Sequence, residues 1–432
     1  MANGMRGMHN SEHKREAVST LAGLSGARDM AAIAGFFFAL RLATTLLCVR
    51  VFGLSPQAAA GAKLGLGFLL LFLVALTTLG GSDHGWRSIL RPSSVRWVLV
   101  FLAFSASSLL WSETGSLATS LLYWCGTAAD VTTVLLLLRS GNVEDTAASL
   151  MEGYICGGCL IALCGWLMPT QYDLRLGDED YFNSNSICNV CVFAVVFAQY
   201  LMRTRQARWG VATLFLVLTI LRSLSKSTIT AFLVAEIYLV LSDNAMSRRT
   251  KKWLTIGAIA AALIFWGLFK AYYDFYTTNG NQAETLTGRT AIWTFAAAGV
   301  LESPWIGHGF DSMWNVVPAF GTFEARHAEN ELLEQLYSYG AVGLLVLCGV
   351  YGALFRNIRR MGSPASRVIW ACMVVFVVVR GLAVADAFDL LLPVWTVTMT
   401  GLLVQAQRAG SESASPALRR ATTPAAHALP TI

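Results

Sequence analysis

The sequence is poor in charge. Only 13% of its 432 residues are Asp, Glu, Lys or Arg, about half of the ~25% usual in soluble chains. Proline is scarce, with 10 residues. A disordered chain needs high charge and low hydrophobicity, and here 55% of residues are apolar. The nine cysteines lie at or within apolar runs, as small hydrophobes do, and outline no disulfide scaffold. No Walker loop, Rossmann glycine pattern or H-E-x-x-H occurs. These absences disfavour an ordinary soluble enzyme. What is present favours an all-α integral membrane protein with many spans. The net charge of +6 is modest. Nucleic-acid binders gather Lys and Arg on one face, and no nucleic-acid partner is expected.

Twelve stretches are apolar over most of the ~20 residues that a membrane helix needs. They lie near 31–52, 61–79, 96–112, 116–138, 148–168, 185–202, 209–222, 226–242, 252–270, 335–355, 366–385 and 387–405. The chain then divides into a cytoplasmic tail (1–30), nine spans (31–270), one large loop (271–334), three spans (335–405) and a tail from 406 to 432. The last tail is rich in Ala, Ser and Pro and is expected to be disordered. No small-residue cleavage site closes the first apolar run, so it is read as a span and not a cleaved signal peptide. An N-in, C-in orientation puts 22 Lys and Arg on cytoplasmic segments and eight outside, as the positive-inside rule favours. The large loop is then expected on the outer side of the membrane.

That loop concentrates reactive groups: Arg289-Thr-Ala-Ile-Trp293, Pro304-Trp-Ile-Gly-His308-Gly309 and Arg326-His327-Ala-Glu329-Asn330. A loop this long implies structure of its own. A helix starting near Arg289 is expected, with Ile292, Trp293 and Phe295 toward the membrane. A histidine can accept a proton near neutral pH. Arg289 and Arg326 can grip phosphate oxygens. Arg222 and Lys226 lie at the outer ends of neighbouring spans, and Arg175 lies in a third outer loop. Such a gathering of cations points to an anionic headgroup. Singly, each also reads as an interfacial anchor.

Other features carry two readings. Cys156/Cys159 and Cys188/Cys191 are C-x-x-C pairs, but within apolar helices they read as packing residues and no metal site is expected. Asp130, Glu152 and Glu236 fall inside spans, as does Arg41. Buried charges of this kind mark either a proton-coupled transporter or a structural pair with Arg41. Tyr272 and Tyr273, with several tryptophans, read as an interfacial belt.

The block from Arg289 to Trp293, Ser303 to Gly309, His327 to Asn330 and Gly340 to Gly343 resembles bacterial O-antigen ligases and polysaccharide polymerases. Leu224-Ser-Lys226-Ser and Asn183-Ser-Asn185-Ser are similar to further motifs of that family. Trp111-Ser112 and Gly309 to Trp314 resemble its exopolysaccharide-polymerase branch. The resemblance covers about residues 100 to 350. It implies a membrane glycosyltransferase that moves a glycan from undecaprenyl pyrophosphate to a sugar hydroxyl, on another lipid-linked glycan or on lipid A core. It implies no cofactor, and a chain-length regulator as a possible partner. His327 would be the base. Arg289 and Lys226 would hold the pyrophosphate, with Arg222, Arg326 and Arg175 as further contacts and Asn185, Glu329 and Asn330 as other site residues. Much of the family has Arg where this chain has Lys226, and many members have Asn directly after the histidine. The alternative is a transporter or flippase for lipid-linked sugars.

Overall fold

A hydrocarbon environment forces the backbone to bond to itself, and for apolar runs this means helices. The computed structural model describes residues 26–78, 84–171, 173–178, 180–206, 208–278, 289–313, 327–386 and 388–421. Among them every regular element is helical. In chain order these are α1 (Gly26–Val51), α2 (Pro56–Thr78), α3 (Trp86–Ile89), α4 (Ser93–Ser108), α5 (Leu117–Ser140), α6 (Val143–Leu167), α7 (Ser184–Thr204) and α8 (Gly210–Arg222). There follow α9 (Lys226–Ser242), α10 (Arg248–Ile264), α11 (Trp266–Thr278), α12 (Arg289–Glu302), α13 (Glu331–Arg359), α14 (Pro364–Gly381) and α15 (Val394–Ala421).

Each of the twelve apolar stretches falls on one of these helices, the ninth on α10 and α11 together. Length and composition qualify fewer as crossings. Seven described helices pass (α1, α2, α5, α6, α7, α13 and α14), and α10 with α11, bent by 48°, adds an eighth if the pair is one span. The apolar α4 and α8 have 16 and 13 residues, short of the usual crossing. The chain is an all-α, multi-pass membrane protein. Two boundaries differ from expectation. The first helix begins at Gly26, and the tail expected to be disordered from 406 stays helical to Ala421, where alanines favour helix.

The core sits around α7, which is buried almost continuously from Ile187 to Leu201. Phe197 on α7 lies 5.3 Å from Tyr154, 6.3 Å from Trp370 and 6.3 Å from Trp395, ring centre to ring centre. Small residues let α1 and α6 touch backbone to backbone. A Cβ at Gly153 would stand 1.9 Å from the Ala32 carbonyl oxygen, and one at Gly35 1.8 Å from that of Leu150. Inside the bundle Arg41 meets Asp130 at 2.6 Å, so the structural pair is formed. Glu236 accepts a hydrogen bond from Gln199 at 2.8 Å. For the site, two packings matter: α9 lies against α14, and α12 against α13.

Candidate active site

Asn330 caps α13. Its side-chain oxygen accepts from the Leu333 N–H at 3.0 Å, the role for which Asn is preferred. Its amide donates to the Leu382 carbonyl at 3.2 Å, just past α14. The chain enters the cap through Glu329, whose φ of +52° is left-handed, an uncommon state for a non-glycine residue. The Ala328 N–H, one step earlier, donates to the buried Glu334 carboxylate at 2.6 Å. This turn brings the Glu329 carboxylate between two partners: 3.8 Å from His327 Nδ1 and 3.3 Å from Arg289 Nη2. The Glu329 N–H also faces His327 Nδ1, at 3.3 Å. His327 Nε2 has no hydrogen-bond partner among the described residues. Histidine, glutamate and arginine thus form one chain of contacts across the start of α12 and the start of α13.

Lys226 begins α9, reached from α8 by a tight turn in which Leu224 is left-handed (φ +59°). Two α7 residues hold that turn. Ser225 Oγ lies 2.5 Å from Asn185 Oδ1, and Ser223 Oγ lies 2.8 Å from Cys188 Sγ. Lys226 Nζ stands 4.9 Å from the centre of the Tyr272 ring. Arg175 Nη2 donates to the Tyr272 hydroxyl at 2.6 Å, and Arg175 Nε lies 3.1 Å from Asp173. Arg175 and Arg289 are the cations that bear electrostatically on Lys226, with Asp173 as the nearby acid. Cations from three separate elements therefore act on one another, and Arg289 joins them to His327 through Glu329.

Not every predicted residue joins them. Arg222 Nη1 donates instead to the Leu174 carbonyl at 2.9 Å, propping the loop that carries Arg175. Arg326 lies outside the described residues. Ile292 does not face the membrane. It is fully buried with Ala296, Met313, Ala328 and Tyr337, because α12 packs its small-residue face on α13. Tyr272 is no belt residue either. It is 5% exposed, enclosed by the cations it supports. Nothing in the sequence separated it from the exposed Tyr273 beside it. Also unforeseen were Asp173, Glu334 and Arg380. Their signal was only that they are charges at the edge of apolar segments.

The two motifs of the exopolysaccharide branch meet in space. Ser112 Oγ donates to the Phe310 carbonyl at 2.5 Å, and the indole N–H of Trp111 donates to the Ile306 carbonyl at 3.3 Å. The segment 304–309 docks on a break in α13 at Gly340, whose φ/ψ of 59°/−161° leaves the helix. Four backbone bonds cross the break. Ala341 and Val342 donate to Pro304 and Trp305, while His308 and Gly309 donate to Tyr337 and Ser338, all at 2.8–3.0 Å. A Cβ at Gly340 would meet the Trp305 carbonyl carbon at 2.4 Å, so close approach and backbone twist both demand glycine.

His308 is 6% exposed and stacks on Tyr337, with Nε2 at 2.9 Å from the Gly299 carbonyl and Nδ1 at 3.0 Å from Glu113. Burial pushes this imidazole down, but the Gly299 carbonyl and Glu113, with Glu302 farther off, outweigh it and leave the pKa above the usual 6.5. A raised value in the folded state means that the pair stabilises fully below 6.5 and is lost as pH rises through the folded value. Melting curves should therefore show wild type exceeding Glu113→Gln most below the ordinary histidine value of 6.5, with the gap closing as pH rises above it. A gap independent of pH contradicts a charged pair.

Comparison with known proteins falls on the same residues. Residues 211–348, from α8 through the first part of α13, match the family model described as O-antigen ligase (Wzy_C). The exopolysaccharide production protein ExoQ of Rhizobium meliloti is 24% identical over 324 residues, covering 66% of this chain and 71% of ExoQ. An O-antigen ligase of Pseudomonas aeruginosa PAO1 is 28% identical over 324 residues, covering 69% of this chain and 74% of the relative. The matched segment holds Lys226, Arg289 and His327, and it is over this segment that the chain is similar to the O-antigen ligase family.

Proposed function

We propose that the protein transfers a glycan from undecaprenyl pyrophosphate to an acceptor hydroxyl at the periplasmic face of the bacterial inner membrane. One observation carries this reading: Lys226 feels both Arg175 and Arg289, and Arg289 is linked through Glu329 to His327, with Asp173 and Glu329 as local counter-charges. Like charges repel when brought together, and a pyrophosphate relieves that repulsion. In the reaction the acceptor O–H gives its proton to His327 as the oxygen attacks the anomeric carbon. The bond from that carbon to the phosphate oxygen breaks, and undecaprenyl pyrophosphate leaves with the electron pair. For Nε2 to take the proton, Nδ1 must carry its own; in the reacting tautomer it gives up the bond it accepts from the Glu329 N–H and turns its N–H to the Glu329 carboxylate 3.8 Å away. This is the orienting role that carboxylates play beside catalytic histidines. The cations stabilise the charge developing on the leaving group, so the reading assigns that task to side chains and calls for no metal ion.

The topology belongs to the same proposal. The shorter helices complete twelve crossings, both termini are cytoplasmic, and the site opens on the opposite side. The docking of Trp111 and Ser112 on the 306–310 segment, together with the similarity to ExoQ, favours a polymerase over a ligase. The acceptor is then a second lipid-linked glycan, with lipid A core as the ligase alternative and a chain-length regulator as a fitting partner. Purified protein given a glycan on undecaprenyl pyrophosphate should release free undecaprenyl pyrophosphate and form a new glycosidic bond. Donor that crosses the bilayer intact, with no bond formed, would establish the flippase instead.

A further inference from the structure

Arg380 closes α14 on the side that faces α9. It is 4% exposed. Among the described residues its only hydrogen-bond acceptor is Thr228 Oγ1, 3.3 Å from Nε, and no described carboxylate lies within 4.0 Å. Asp386, Glu329 and Glu331 act on it only from farther away. A guanidinium carries five N–H donors, and burying a cation without a paired, hydrogen-bonded anion is costly. The acceptor Thr228 lies in the first turn of α9, two residues beyond Lys226. That turn is itself uncapped. Ser225 is its N-cap residue but makes no capping bond, because its hydroxyl is turned to Asn185. A helix N-terminus with orphan N–H groups favours anions.

We propose that Arg380, the uncapped first turn of α9 and Lys226 together form a seat for one phosphate group of the lipid-linked donor. The assignment rests on the donor reading above and adds a contact that Arg289 and Arg175 do not supply. Lys226 offers a compact point charge and Arg380 a planar fork that can grip two oxygens. The fork lies in the protein interior, where water competes least.

The test uses the full chain in phosphatidylcholine nanodiscs, with farnesyl pyrophosphate as probe and farnesol as the uncharged control. Thermal unfolding of wild type should shift upward with farnesyl pyrophosphate and not with farnesol. Arg380→Met keeps the bulk and removes the unpaired charge. Without probe it should melt at the wild-type temperature or above, and it should need about 10- to 100-fold more farnesyl pyrophosphate for half the shift, as expected for lost charge-assisted hydrogen bonds. Arg380→Lys should fall between the two. An Arg380→Met protein that melts lower yet keeps the wild-type midpoint for the probe makes the residue structural and overturns the seat. So does a variant that loses co-purified phospholipid while its probe midpoint stays the same, since the anion is then a membrane headgroup. A wild type that ignores farnesyl pyrophosphate sinks the donor reading itself, whereas an equally responsive Arg380→Met sinks only this assignment.

Discussion

Replacing His327 by Ala should lower kcat for glycan transfer by ~10²- to 10⁴-fold, the usual contribution of a general base. Donor affinity should change little, because the cations that hold the pyrophosphate remain. His327 is partly exposed, with 28% of its side chain accessible, and among the described residues its hydrogen bond and ion-pair contact are both with Glu329. The fold should survive, and melting temperature is the control. The expected signature is a loss in kcat with KM nearly unchanged. Normal turnover in a folded His327→Ala protein would remove the base from the reading. Glu329→Gln should show a weaker form of the same loss, since it keeps the side-chain shape but loses the carboxylate that orients Nδ1. It also strips Arg289 of its counter-charge, so donor affinity should rise while kcat falls.

Arg289→Ala should cost ~10²- to 10³-fold in kcat/KM, the scale seen when one donor to a developing anion is removed. Arg289→Lys should recover little of it. Lysine keeps the charge, but it loses the planar fork with which one guanidinium can hold Glu329 and a phosphate oxygen together. The two variants also separate binding from chemistry. If Arg289 only captured the donor, excess donor would restore the rate. If it stabilises the departing pyrophosphate, kcat stays low at saturation. Wild-type kinetics for Arg289→Lys would argue against the clamp. The rate should be read beside pyrophosphate inhibition, which should weaken in parallel.

Much of this architecture was legible because membrane helices are read by one strong signal. Each of the twelve apolar stretches coincides with a helix, and α12 begins at Arg289 as the loop motif suggested. The charged motifs named residues that the structure brings into contact, Arg289 with Glu329 and Glu329 with His327. What failed was everything set by a partner far along the chain. Ile292 looked lipid-facing until Tyr337, on another helix, supplied its neighbour. Arg222 and Lys226 are four positions apart and equally cationic, yet one braces a carbonyl and the other joins the charged cluster. Only the left-handed turn at Leu224 divides them. Arg380 drew no reading of its own, because sequence shows that a cation ends a span but not whether a carboxylate waits there.

The break at Gly340 has a consequence for biogenesis. An ordinary membrane helix enters the bilayer with its backbone already satisfied. Here Ala341 and Val342 cannot find their bonds within their own helix and take them from Pro304 and Trp305. Until that upstream segment docks, an apolar helix carries exposed N–H groups into hydrocarbon, each costing several kcal/mol. The segment and the helix therefore satisfy each other's backbone only as a unit. The same bonds fix the distance between α12, which starts with Arg289, and α13, which starts just past His327. Docking of this segment and placement of the groups proposed for catalysis are then set by the same bonds.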